Sequence, residues 1–208
     1  MKSKTVLIIL AGGKSSRMGF PKGLLKHSST LWILSQIENY IGQEVYIGLG
    51  FDYQLYFEAI PWLNEALKKP ISYKGKKIRV ALNQTPEFGL FSTLQNVLSL
   101  LNFEGGNNTV LVLPIDVPLL NAKEQEKLIF DEQLISIPTY NNKKGHPVKL
   151  TSKFWKLLLN LNLTDEDSRL DIQIKKRNAS EISLVEMNDA SIIKNLNTPK
   201  DWQEFIVS

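Results

Sequence analysis

Three cationic side chains, Lys14, Arg17 and Lys22, fall within nine residues of one another directly after the pair Gly12-Gly13. Glycines let a backbone turn sharply and let a ligand come close to it. The N–H groups of such a turn make a concave set of donors, and the neighbouring cations neutralise anionic charge. This is the chemistry of a phosphate cradle. Leu10, Ala11, Gly12, Gly13 and Lys14 are therefore candidate nucleotide-binding positions, and Arg17 and Lys22 are candidate catalytic cations for a polyphosphate. A ligand-free turn after a strand is the competing reading, but it does not need three cations beside a strand end. The spacing is neither the G-x-x-x-x-G-K-[ST] of a P-loop nor the G-x-G-x-x-G of a dinucleotide fold.

A second cluster lies at residues 110–120, VLVLPIDVPLL. Asp116 emerges just past an apolar run, with Pro114 and Pro118 restricting the backbone on either side. Alone, such a carboxylate is as readily a turn former or helix cap; as an oxygen donor it suits Mg²⁺, which takes one or two carboxylates, waters and substrate phosphates. A third stretch, residues 83–97, places Asn83 at a strand end, where an amide could read a base edge. Gly89 then opens a helix whose first turn holds Ser92 and Thr93. A polar loop with a helix cap is the alternative. His146 is one of two histidines. Its ordinary pKa range allows proton transfer, but a phosphate nucleophile is already ionised at neutral pH, so a positioning role is the better reading. His27 reads as a surface residue. Arg169 is either an acceptor-phosphate contact or an ordinary surface arginine.

These residues need a scaffold that brings strand ends together. Apolar runs at residues 6–10, 44–49, 77–82, 109–113 and 134–138 read as strands. Helical patterns lie at 31–41, 53–67, 90–101, 123–130, 152–161, 167–176 and 199–205. The alternation predicts an α/β fold, a three-layer α/β/α sandwich with a mostly parallel sheet, and the continuously apolar strands suit a sheet covered on both faces. Thr198-Pro199 has the form of a helix start, with threonine as N-cap and proline at the first position. With 208 residues, no repeat and no linker, a single domain over 1–208 is expected.

Composition excludes several classes. There are no cysteines, so disulfides and thiolate metal sites play no part. A hydrophobic share of 43% and a charged share of 22% are ordinary for a globular protein. The net charge of +4 is mild, and no basic run interleaves with aromatics, so nucleic acid is not an expected partner. The densest basic cluster, residues 74–79, reads as a solvated turn and strand edge. Met1-Lys2-Ser3-Lys4 precedes an apolar run too short for a signal-peptide core or a membrane span, which makes a cytoplasmic location, away from membranes, the expectation.

LAGGKSSRMG followed by PKGLL resembles the N-terminal signature of the MobA-like nucleotidyltransferases, L-A-G-G-x-S-x-R-M-G and then K-x-L-L; every fixed position has its counterpart here. Asp116-Val117-Pro118-Leu119 is similar to that family's D-x-P-L, whose aspartate binds the metal. GLFST at 89–93 and GHPV at 145–148 resemble the cytidylyltransferase-like branch, whereas Asn195 and Asn197, in Asn195-Leu196-Asn197-Thr198-Pro199, stand as in the guanylyltransferases. The resemblance spans residues 7–202. It implies a Rossmann-like sheet of the nucleotide-diphospho-sugar transferase type. It also implies a Mg²⁺-dependent transfer of an NMP from an NTP, CTP or GTP, to a small phosphorylated acceptor, most naturally molybdopterin, with pyrophosphate released. A protein partner in cofactor delivery goes with that role. Arg17, Lys22 and Asp116 would be the catalytic set. Leu10 to Lys14, Lys22, Asn83, Gly89, Ser92 and Asp116 would contact the nucleotide, Asp116 and Asn197 the metal, and His146, Arg169 and Asn195 the acceptor. Acceptor recognition is expected around residues 136–149 and 164–169. A sugar phosphate as acceptor, or a nucleotide-binding accessory protein without turnover, are the alternatives; the asparagine pair speaks for the latter.

Overall fold

In a computed structural model describing residues 5–207, the apolar runs form one nine-stranded sheet. Its strands, with those of a small ribbon, are β1 (Thr5–Ala11), β2 (Lys26–His27), β3 (Thr30–Leu31), β4 (Glu44–Leu49), β5 (Ile71–Tyr73), β6 (Lys76–Leu82), β7 (Thr109–Pro114), β8 (Ile135–Tyr140), β9 (Lys143–Lys144), β10 (Val148–Leu150) and β11 (Ile182–Glu186). The helices are α1 (Trp32–Asn39), α2 (Tyr53–Ala59), α3 (Trp62–Glu65), α4 (Leu90–Phe103), α5 (Ala122–Phe130), α6 (Ser152–Leu158), α7 (Leu170–Lys175) and α8 (Pro199–Ile206). The sheet order is β11-β8-β10-β7-β1-β4-β6-β5, with β9 paired to β8; β2 and β3 form the separate ribbon. β7, β1, β4 and β6 run parallel, so their carboxyl ends share one edge. β10 is inserted antiparallel between β7 and β8.

Alternation along the central strands divides the interior in two, because successive side chains point to opposite faces. Leu7 and Ile9 of β1 and Leu111 and Leu113 of β7 enter one layer with Trp32, Ile37, Leu63, Leu128 and Trp202. Val6 and Ile8, with Val110 and Val112, enter the other with Leu94, Leu98, Phe154 and Trp155. Both faces are covered, which is why these strands lack an alternating polar pattern. No helix among the described residues is long and apolar enough to cross a membrane.

The differences from the sequence-based expectation have local causes. The helix expected over 53–67 is two, α2 and α3, because Pro61 has no backbone N–H to donate and its ring would strike the preceding turn. β10 escapes sequence reading because three residues are too few to show a period. β5 and β11, at the two ends of the sheet, were not expected either. The basic stretch 74–79 is only partly solvated. Lys74 and Gly75 turn a hairpin with φ of 45° and 76°, but Arg79 is buried, bonding Glu104 at 2.6 Å and the Ala66 carbonyl at 2.7 Å. His27 is not a free surface residue either: its ring packs 5.0 Å from Trp32, 6.2 Å from Trp202 and 5.8 Å from Phe205, tying the ribbon to α8. The reading of residues 1–4 lies outside the described residues.

Leu111 is fully buried and Phe103 is 88% exposed. Leu111→Ala is therefore expected to lower the unfolding free energy by about 2–5 kcal/mol, and Phe103→Ala to change it by less than about 0.5 kcal/mol, both read by urea denaturation.

Candidate functional site

Because β1 and β7 are parallel neighbours, the segments after them leave the sheet side by side. Leu10 pairs with Pro114 in register, and the Ile115 N–H donates to the Leu10 carbonyl at 3.0 Å. From Ala11, the last residue of β1, the chain turns through Gly12-Gly13 and loops back to Lys22. The loop is closed by the Met18 and Gly19 N–H groups donating to the Ser15 carbonyl at 2.9 and 3.0 Å, and Gly19 takes a φ of 73° that favours glycine. The two glycines of the turn differ. A Cβ on Gly12 would lie 2.5 Å from Thr93 Oγ1, so the fold requires glycine there. A Cβ on Gly13 meets nothing within 4 Å and its φ is not positive, so neither packing nor backbone strain accounts for it. Its backbone is exposed and open to close approach.

Lys22 is the centre of the site. Its Nζ donates to Asp116 Oδ2 at 3.1 Å and to Asn197 Oδ1 at 2.8 Å, and its side chain is only 12% exposed. Asp116 is held by α1: Trp32 Nε1 donates to the Ile115 carbonyl at 2.7 Å, Gln36 Nε2 to the Val117 carbonyl at 2.7 Å, and Gln36 Oε1 accepts from the Leu119 N–H at 3.0 Å. Gln36 and Trp32 are buried. Helix patterning marks their apolar neighbours but carries no sign that these two brace a loop over 80 residues away.

Asn197 arrives from the far end of the chain. The Leu196 N–H donates to the Asp116 carbonyl at 2.8 Å. The expected N-cap at Thr198 is present and reciprocal: Thr198 Oγ1 accepts from the Asp201 N–H at 3.2 Å, and Asp201 Oδ2 accepts from the Thr198 and Asn197 N–H groups at 2.8 and 3.0 Å. Bonding by Thr198, with the Arg17 charge assisting, holds the Asp201 carboxyl below its ordinary range. Arg17 and Lys14 are exposed at the cradle, Lys14 lying 4.7 Å from the Phe51 ring centroid.

Other expected contacts fall elsewhere. Asn83 is buried and its amide is engaged inside the protein. Nδ2 donates to Ser92 Oγ at 2.8 Å and Thr93 Oγ1 at 3.0 Å, and Oδ1 accepts from the Thr85 N–H at 3.0 Å. Ser92, also buried, donates to the Gly89 carbonyl at 2.7 Å. These two side chains brace the loop beneath the cradle, their polar atoms paired within the protein. Gly89, with φ of 84°, makes the turn into α4. Asn195 is exposed and bonds the Ile193 carbonyl, away from Lys22.

On the other side of β1 and β7 a cavity of about 620 Å³ opens beside the cradle. The two stretches expected to recognise an acceptor meet there: Ile137, Lys144, Gly145, His146 and Val148 from one, Ser168 and Arg169 from the other. His146 lines it, clamped by its backbone N–H to the Ile192 carbonyl at 3.1 Å, and its ring Nδ1 is buried without a hydrogen-bond partner. Burial lowers its pKa, against the opposing pull of Asp116 and a bond to the Val112 backbone. The imidazole is thus neutral at pH 7.

A family model of the MobA-like NTP transferase domain matches residues 7–178. No curated protein matches the sequence. Among solved structures, the chain is similar to Rv0371c from Mycobacterium tuberculosis H37Rv, at 16% identity over all of both chains with a TM-score of 0.74. The same protein in complex with manganese is 14% identical over 99% of this chain and 100% of that one, TM-score 0.68. A nucleotidyl transferase from Methanothermobacter thermautotroptrophicus is 17% identical over 98% and 96% of the two chains, TM-score 0.72. Molybdopterin-guanine dinucleotide biosynthesis protein A from Archaeoglobus fulgidus is 13% identical over 96% and 95%, TM-score 0.62. At these identities the likeness establishes the fold.

The glycine pair makes a test of the cradle. Gly12→Ala is expected to destabilise the protein by about 1–3 kcal/mol through the Thr93 clash. Gly13→Ala should leave stability within about 0.5 kcal/mol while weakening NTP binding, as thermal shift and titration calorimetry would report. A second expectation concerns pH. With the folded pKa of His146 depressed, the unfolded chain binds the proton first as pH falls, so this group costs stability below about pH 6.5 and nothing above it. His146→Gln should flatten that part of the dependence in denaturation curves taken at pH 5.5 and 7.5.

Proposed function

Since the chain belongs to the MobA-like NTP transferase family, we propose that it transfers an NMP from an NTP, CTP or GTP, to a phosphorylated small molecule, molybdopterin being the acceptor its motifs favour, and releases pyrophosphate. The observation that carries this reading is the Lys22 ammonium at the end of the glycine cradle, bonded to both Asp116 and Asn197.

The donor set fits Mg²⁺. Asp116 offers a carboxylate oxygen and Asn197 an amide oxygen, both hard ligands. Among the described residues no group of three or more His, Cys, Asp or Glu converges, so phosphates and waters would complete the shell, as Mg²⁺ prefers. Bound there, the ion would supply neutralisation of the triphosphate charge. Asn197 brings a dipole without charge, so the site holds one carboxylate and leaves the remaining neutralisation to Lys14, Arg17 and Lys22.

The chain's own residues do the rest by position and charge. The N–H groups around Gly12 and Gly13 hold the phosphates. An oxygen of the acceptor phosphate attacks the α-phosphorus, the bond from α-phosphorus to the bridging oxygen breaks, and pyrophosphate leaves with that electron pair. The acceptor phosphate is ionised already, so no base is needed, in keeping with a neutral His146. Lys22 and Arg17 stabilise the charge that gathers on the leaving group. With Asn83 occupied internally, the choice between CTP and GTP falls to the backbone and to neighbouring side chains.

Lys22→Ala and Asp116→Ala are each expected to lower the rate of pyrophosphate release by about a hundredfold or more, the scale of removing one such stabiliser. Pyrophosphate release measured with each of four NTPs, Mg²⁺ and molybdopterin tests the activity and names the base. Near-wild-type turnover in both variants would overturn the assignment.

A further inference from the structure

The walls of the cavity beside the cradle are hydrocarbon. Leu10, Leu94, Val112, Ile137 and Ile174 line it. At its mouth Phe88 and Leu90 stand 44% and 46% exposed, large apolar side chains that the protein's own core does not absorb. The polar side chains of the lining are mostly committed elsewhere. Arg169 donates to both oxygens of Asp171 at 3.1 and 3.4 Å, Lys175 lies 3.7 Å from the same carboxylate, and Ser168 donates to the Asn162 carbonyl. His146 Nδ1 is the neutral side-chain atom left unpaired. Arg169 and Lys175 thus spend their charge on Asp171.

The cavity adjoins the reaction centre. Leu10 immediately precedes the glycine turn, Pro114 lies two residues before Asp116, and His146 is near enough to Asp116 to feel its charge. An anionic group at the cradle would thus carry its attached body into the cavity.

We propose that this cavity takes the body of the acceptor, and that the acceptor is a phosphomonoester of an apolar alcohol, with an aliphatic or aromatic carbon skeleton. The inference rests on the transferase reading and sets an apolar phosphomonoester in place of the molybdopterin that the motifs favour. A sugar phosphate would bury several hydroxyls against leucine, isoleucine and valine with few partners, and a pterin would bury a polar edge the same way; buried polar groups without partners are strongly disfavoured. An apolar skeleton gains instead, each buried methylene being worth about fourfold in affinity. The bond changes are those given above, with the acceptor phosphate supplying the attacking oxygen and pyrophosphate leaving.

The test is calorimetric titration of the full chain, in Mg²⁺ and a non-hydrolysable NTP analogue, with geranyl phosphate, glucose 1-phosphate and molybdopterin in turn. Geranyl phosphate is expected to bind at least about tenfold more tightly than either of the others. Leu90→Gln, at a solvent-exposed wall position, should weaken geranyl phosphate by about threefold or more and leave NTP affinity and thermal stability unchanged. Tighter or equal binding of glucose 1-phosphate or molybdopterin, no binding of geranyl phosphate, or an indifferent Leu90→Gln overturns the proposal and leaves the transferase reading standing. Absence of binding by the NTP analogue itself overturns both.

Discussion

The ammonium of Lys22, held between Asp116 Oδ2 and Asn197 Oδ1, joins residues 94 and 175 positions apart in the chain. A cation with so little solvent around it needs anionic or dipolar partners in place, because a charge withdrawn from water without them is costly. Three separate segments therefore have to arrive at one point: the loop after β1, the turn after β7 and the strand-like return before α8. The parallel pairing of β1 and β7 delivers the first two to the same edge. The third is delivered by its own backbone, through the Leu196 N–H on the Asp116 carbonyl, and by the cap that starts α8.

Much of the rest of the molecule holds those arrivals in place. α1 sends Trp32 and Gln36 to the backbone on both sides of Asp116. The cluster of His27, Trp32, Trp202 and Phe205 fastens α8 to the ribbon that follows Lys22. Gly12 and Gly48 both press against Thr93 of α4, and Asn83 locks the loop before that helix. The consequence is a glycine cradle with little freedom, flanked by a cavity with apolar walls.

Legibility in the sequence followed the range of the interaction responsible. The central strands were visible because burial on both faces demands unbroken apolar runs, and α4 and α5 because their patterns are long. The cap at Thr198 was visible because capping is local chemistry. The α2–α3 break shows a local rule outweighed by periodicity, since Pro61 was there to be read. The strand β10 had too few residues to display any period. The internal bonds of Asn83 were hidden for a different reason. Its position at a strand end was right, but whether its amide faced a ligand or Ser92 and Thr93 depended on packing nine and ten residues away.

What the amino-acid order alone settled was the chemistry available: a glycine turn loaded with cations, an aspartate between prolines, an asparagine before a helix cap, and the α/β pattern of the sheet. Each follows from local backbone preference or from the polarity of neighbouring residues, which a linear reading can see. What arose only in three dimensions was their convergence on Lys22, the bracing of Asp116 by Gln36 and Trp32, the internal engagement of Asn83 and the apolar cavity beside the cradle. Those features depend on contacts between residues far apart in the chain, and such contacts exist only once the sheet has set the order and register of its strands.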